Sequence, residues 1–141
     1  MNYLLDTCVI SELVKPRPAR NVVEWVRRQD ESSLFLSVVT IGEIEKGIAR
    51  LEGSRRKPRL RDWVDNALSR RFSGRILSFD FETASRWGRI SGEAGRKGKA
   101  LPVLDGILAA TALTHGLTLV TRDTGVLAPT GTEIFNPWAG E

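Results

Sequence analysis

Four carboxylates, Asp6, Glu43, Asp105 and Asp123, stand where an apolar run gives way to a helix or turn, or in the first turn of a helix. Acids of this kind gathered in one place form a pocket of like charges, each opposing ionisation of the next unless a cation intervenes. A donor set made only of oxygens selects a hard cation, magnesium or manganese, over zinc. Such a centre activates water and stabilises charge on a phosphate. Each acid also has a simpler explanation. Asp6 can cap a helix, Thr40 and Glu43 have the spacing of a capping box, Asp105 can complement a helix dipole, and Asp123 can serve a turn. Asp80, which follows Arg75-Ile76-Leu77-Ser78-Phe79, has the same strand-then-helix context, so position alone would recruit it as a fifth member. Asp105 argues most strongly for chemistry. Leu108, Ala109 and Ala112 lie at i+3, i+4 and i+7 from it, which puts its carboxylate on an apolar face where it needs a partner.

The elements that must position these acids follow from periodicity and punctuation. Residues 1–5, 34–39 and 117–121 have strand length and character, and residues 7–14 and 41–51 predict helices after the first two. Residues 103–115 predict a helix started by Pro102 and stopped by Gly116. Further helices are expected over 60–72 and from 81 to 92 or beyond, with a loop at 53–58 and a last short strand within 133–138. Strands that alternate with helices imply crossover connections, and right-handed crossovers give a parallel sheet whose carboxyl ends share one edge. Ligands of open sheets bind in the crevice outside that edge. The fold class is therefore α/β.

At 141 residues, 41% of them hydrophobic, the chain is expected to form one domain over residues 1–141, with its own core. Its single cysteine, Cys8, excludes an internal disulfide, and no basic segment followed by an apolar signal core opens the chain, so a cytoplasmic setting is expected. No membrane span is expected, because residues 101–120 are broken by Asp105, His115 and two glycines. The formal charge is +4 and the pI about 9.7, although several acids are assigned to one pocket. The remaining surface is therefore more basic than the total, with clusters at Lys15, Arg17 and Arg20, at Arg55 to Arg61, and at Arg96, Lys97 and Lys99. A cationic surface around an anionic pocket suits a polyanion bound broadly and attacked locally, and nucleic acid fits best.

Other chemistries find little support. His115 is the only histidine, Cys8 lacks a histidine partner in its segment, and no phosphate-binding glycine motif is present. Trp25, Trp63, Trp87 and Trp138 are assigned to core or interface, since none lies in an RNA-binding aromatic motif. Two alternatives to an enzyme of this kind are an aspartate-phosphorylating receiver-like domain and a non-catalytic nucleic-acid-binding module. The first strand ends in one Asp rather than an acidic pair, and no lysine follows the last strand, which counts against the receiver.

Four ordered segments carry a resemblance over essentially the whole chain. They are Leu4-Leu5-Asp6-Thr7-Cys8-Val9-Ile10-Ser11-Glu12, Thr40-Ile41-Gly42-Glu43, Asp105-Gly106-Ile107-Leu108-Ala109-Ala110-Thr111-Ala112 and Thr118-Leu119-Val120-Thr121-Arg122-Asp123, and they resemble the acidic motifs of PIN-domain proteins. More narrowly, the chain resembles VapC-type toxins of type II toxin–antitoxin pairs. Thr121-Arg122-Asp123-Thr124-Gly125 and Phe135-Asn136-Pro137-Trp138 are similar to the FitB-like branch. The resemblance implies a three-layer α/β/α fold with a small parallel sheet, and a Mg2+- or Mn2+-dependent endoribonuclease that hydrolyses RNA phosphodiester bonds with metal-activated water. Asp6, Glu43 and Asp105 would match the metal-binding acids, with Asp123 as the fourth and Thr121 bracing the site. The strand before Asp80 would lie at a sheet edge. A small cognate antitoxin and a homodimer are the implied protein partners. Two departures bear on the metal load: Cys8 stands where many members carry Asn, and Val126 where many carry another Asp. One ion or two is left open.

Overall fold

The computed structural model describes residues 1–139. The chain runs β1 (Tyr3–Leu5), α1 (Thr7–Leu13), α2 (Arg20–Arg28), a short 3-10 turn, β2 (Leu34–Ser37) and α3 (Val38–Ala49). It continues through α4 (Arg56–Asp62), a π-helical stretch at Trp63–Leu68 and α5 (Ser69–Arg71) to β3 (Ile76–Leu77) and α6 (Phe81–Arg96). The last elements are α7 (Val103–His115), β4 (Thr118–Val120), α8 (Thr124–Leu127) and β5 (Ile134–Phe135). No helix among the described residues is long and apolar enough to cross a membrane.

All strand pairs are parallel, and the strand order is β3-β2-β1-β4-β5. The chain steps outward from β1 to β2 to β3, then returns past β1 to lay down β4 and β5. The order reverses between β1 and β4, and a crevice at a parallel sheet's carboxyl edge opens at such a reversal. Asp6 follows β1, and Thr121 and Asp123 follow β4. The backbone seals this junction, with the Asp6 amide donating to the Val120 carbonyl at 3.0 Å.

Apolar side chains divide between the two faces of the sheet. Leu5, Val9, Ile10, Val22, Leu34, Leu36 and Phe72 form one buried cluster, and Leu4, Leu108, Ala109, Ala112, Leu119 and Leu127 the other. Leu4 and Leu5 are adjacent yet belong to opposite clusters, because successive strand side chains point to opposite faces. With both fully buried, the central strand has helices on either side, and the expected α/β/α sandwich is what forms. Each such leucine contributes about 1.5–3 kcal/mol through burial.

Two element starts differ from their sequence-based expectations. β2 stops at Ser37, whose Oγ accepts the Val39 amide at 3.0 Å, so α3 begins at Val38 rather than near Thr40. Thr40 is then fully buried within the helix, and Glu43 lies in its second turn, outside any capping box. A serine just before the first turn outcompetes a threonine three residues later, because Thr40 is already used in packing. α4 begins inside the expected 53–58 loop: Ser54 Oγ accepts the Arg56 amide at 3.1 Å. Pro58 is tolerated there because first-turn amides have no acceptor within the helix. β3 lies at the sheet edge, and Asp80 after it caps α6 by accepting the Thr83 amide at 2.9 Å.

Candidate metal centre

Asp6 is 5% exposed, and both of its carboxylate oxygens are occupied. Oδ1 accepts the Thr7 amide at 2.6 Å, Oδ2 accepts the Thr121 hydroxyl at 2.6 Å, and the Cys8 thiol donates to Oδ2 at 3.6 Å. Asp6 therefore does cap α1, but through one oxygen only. Burial nevertheless raises its carboxyl pKa, against the hydrogen bonds from Thr121, Thr7 and Cys8 and with a smaller push from Asp123. Thr121 is fully buried and links two acids: it donates to Asp6 and accepts the Asp123 amide at 3.1 Å.

Asp123 occupies the N-cap position of α8, but its side chain makes no capping bond, so the carboxylate is available. Asp105 sits in the first turn of α7 beneath the buried residues Leu108, Ala109 and Ala112, and it accepts no hydrogen bond from the described residues. Its pKa is raised, first by burial and then by the charges of Asp6, Asp123 and Glu43. Carboxylate oxygens of Asp6, Asp105 and Asp123 all lie within 4.8 Å of one another. Like charges held this closely disfavour one another's ionisation, and a cation among them relieves both the repulsion and the buried charge.

Glu43 stands apart from this trio. Its Oε1 accepts the Thr7 hydroxyl at 2.6 Å, and Thr40 Oγ1 lies 3.3 Å from the same hydroxyl. Its charge adds the smallest of the pushes on Asp105, and it lies outside the group of three. Thr7 is a site residue that the sequence did not disclose, since its role depends on α1 packing against α3. The only signal was its adjacency to Asp6.

The departures noted in the sequence acquire structural meaning. Cys8 faces Asp6 and approaches Thr121 Oγ1 at 3.8 Å, so its thiol takes the place of a polar donor. Burial and the Asp6 charge push that thiol up to about 11, which leaves no nucleophilic thiolate at neutral pH. Val126 is 44% exposed on α8 and adds no ligand. His115 is exposed at the end of α7, beside the left-handed Gly116. Glu12, another buried carboxylate, is structural: it accepts Lys15 Nζ at 2.9 Å and the Ala19 amide at 2.8 Å, pinning the start of α2.

Residues 3–129 match the PIN domain family. The chain belongs to that family. As a PIN domain it is 38% identical over 135 residues to Toxin FitB of Neisseria gonorrhoeae, covering 96% of this chain and 97% of that protein. It is 35% identical to VapC ribonuclease Y4jK of Sinorhizobium fredii, covering 96% of each. The crystal structure of FitAcB from Neisseria gonorrhoeae superposes with a TM-score of 0.91 at 38% identity, covering 96% of this chain and 98% of that one. The similarity to a FitB toxin agrees with the narrower resemblance drawn from the closing motifs, and PIN membership leaves the receiver-like alternative without support.

Proposed function

We propose that this PIN domain is a divalent-cation-dependent endoribonuclease and the toxin of a toxin–antitoxin pair, acting in the cytoplasm as a homodimer. The observation that carries this reading is the close trio of Asp6, Asp105 and Asp123 at the β1/β4 crevice. The relatives named as ribonuclease and toxin support the substrate class and the biological role.

The residues fit a hard cation. The donors are all carboxylate oxygens, Asp105 has no hydrogen-bond donor of its own, and Asp6 and Asp105 both hold protons more tightly than ordinary carboxylates. Asp6, Asp105 and Asp123 would hold one principal Mg2+ or Mn2+, with Glu43 outside that group. When bound, the ion would supply water activation and neutralise charge developing on the phosphate. The chain contributes the positioning: Thr121 fixes Asp6 relative to the Asp123 backbone, Thr7 holds Glu43, and Cys8 donates to Asp6. With the thiol protonated and no histidine in the pocket, no side-chain nucleophile competes with water, and cleavage is expected to leave 5′-phosphate and 3′-hydroxyl ends. The antitoxin is a small cognate protein whose peptide covers the crevice and sets a basic side chain against the acids.

The test is incubation of purified protein with a cellular RNA pool, with Mg2+, with Mn2+ and with excess chelator. Cleavage by the wild type with either ion, absent in chelator and in Asp6→Asn, supports the assignment. Full activity in chelator or in the variant overturns the metal role, and RNA binding without cleavage under any ion restores the non-catalytic alternative.

A further inference from the structure

A groove of about 870 Å3 opens between the carboxyl half of α6, the loop leading into α7, and α8. Gly125 and Val126, two and three residues past Asp123, form one wall, and Leu101, four residues before Asp105, lies on another. The segments that carry Asp105 and Asp123 thus also contribute to the lining of the groove. Ile90, Leu101 and Val126 are among its apolar lining residues, and Arg89, Lys97 and Lys99 line it as well. Glu93 is the sole acid lining it, and that carboxylate is engaged by Arg96 at 2.8 Å.

The lysines are presented by a defined turn. α6 ends as the Gly98 amide donates to the Gly95 carbonyl at 3.0 Å and the Lys99 amide to the Ala94 carbonyl at 2.8 Å. Gly98 takes a φ of 74°, a left-handed conformation that costs least for glycine. Among the described residues, neither lysine has a side-chain hydrogen bond or ion pair. Lysines at a helix carboxyl end also complement its dipole. The dipole alone does not account for apolar residues lining the same groove, nor for its sharing α8 with the turn that follows Asp123.

We infer that this groove is the subsite for single-stranded RNA flanking the scissile phosphate, with a base against Ile90, Leu101 and Val126 and backbone phosphate against Lys97, Lys99 and Arg89. The inference rests on the ribonuclease reading and extends it. Its volume lies in the ~300–1,000 Å3 range of ligand-sized sites, and unpaired cations around an apolar surface match a strand that is anionic outside and flat-faced within. Val126 gains a role here: an acid at that position would set negative charge against the incoming strand.

The test measures binding of a labelled single-stranded oligoribonucleotide in chelator, across a salt series, for wild type, for Lys97→Gln with Lys99→Gln, and for Val126→Asp. A control of equal charge loss, Arg27→Gln with Arg70→Gln, removes cations on α2 and α5, away from the groove. The lysine pair is expected to weaken binding about tenfold or more, and to lower the slope of log affinity against log salt by about 1.4, that is, ~0.7 for each of two phosphate contacts. Val126→Asp is expected to weaken binding in the same sense. With Mn2+ present, the loss in the lysine pair should appear in KM rather than kcat. Binding by the lysine pair equal to the control, with the same salt slope, overturns the subsite. Weakening that tracks conversion of a dimer to a monomer by light scattering also overturns it and makes the groove a subunit interface. A wild type that binds through these lysines yet cleaves nothing sinks the nuclease reading while leaving the groove standing.

Discussion

Replacing Asp6 with Asn separates the cost of the acidic trio from its use. The change preserves volume, and the amide oxygen can still accept the Thr7 amide, which Asp6 now accepts at 2.6 Å. The Thr121 hydroxyl can rotate to accept from the new amide group. What disappears is one charge on a residue 5% exposed, whose neighbours Asp105 and Asp123 have oxygens within 4.8 Å. At that separation two unit charges repel by about 3.5 kcal/mol with an effective dielectric of ~20, and by about 1 kcal/mol in water. Against this relief, the charge-assisted hydrogen bonds from Thr7 and Thr121 become neutral, at a loss of about 1 kcal/mol each, and the weak, long contact from the Cys8 thiol is lost. The net expected gain for the cation-free protein at neutral pH is about 1 kcal/mol, or roughly 3 °C in Tm for a domain of this size. The sign follows from the Asp6 pKa, which folding raises. An acid of this kind costs nothing below its unfolded value near 4 and destabilises the fold increasingly as pH rises through the folded value, so the variant's advantage should vanish on acidification. Adding Mn2+ should raise the wild-type Tm, by the equivalent of about 1.4 kcal/mol at tenfold excess over Kd, and the variant's far less. Differential scanning fluorimetry in chelator and in Mn2+, at several pH values, reads all of this. A variant less stable than wild type in chelator at neutral pH, or one that gains equally from Mn2+, refutes the account of the site as a strained anionic pocket.

Thr121→Val keeps volume but removes the hydroxyl joining Asp6 to the Asp123 amide; about 1–2 kcal/mol of stability in urea titration and at least tenfold in RNA cleavage should be lost. Gly106→Ala would bring a Cβ to 3.2 Å from the Trp87 indole and 3.3 Å from Ser91 Oγ, so these side chains on α6 must give by a few tenths of an ångström. Despite the better helix propensity of alanine, a net loss of about 1 kcal/mol and a shifted tryptophan emission are expected. Cys8, with its thiol pushed up to about 11, should react slowly with a disulfide reagent at neutral pH, and Cys8→Ser should keep cleaving RNA. Asp80→Ala should lower Tm through the lost cap of α6 while RNA cleavage continues, because β3 places it at the sheet edge, away from the β1/β4 crevice.

The pattern of short apolar runs and helical periods sufficed to anticipate a parallel α/β sheet and to single out Asp6, Glu43, Asp105 and Asp123 as candidates, because periodicity, capping and turn chemistry are local properties of the chain. The apolar stripe below Asp105 was legible for the same reason: Leu108, Ala109 and Ala112 repeat at helical spacing, and all three are buried. The start of α3 was not, since choosing between Ser37 and Thr40 as cap depends on which hydroxyl packing leaves free. Nor could position distinguish Asp80 from Asp123. Both follow strands, and only the strand order puts one at the edge and the other beside β1. The contacts that make the centre join distant residues: Thr121 to Asp6 across 115 positions and Thr7 to Glu43 across 36. Chain proximity says nothing about such pairs, which are fixed when β4 docks on β1 and α3 on α1. The sequence by itself determined which acids were available and the local element each would terminate. Tertiary structure decided which of them meet, drawing three into one pocket and leaving Glu43 outside that group, held by Thr7, because burial of the two apolar faces sets the strand order and the strand order sets the crevice.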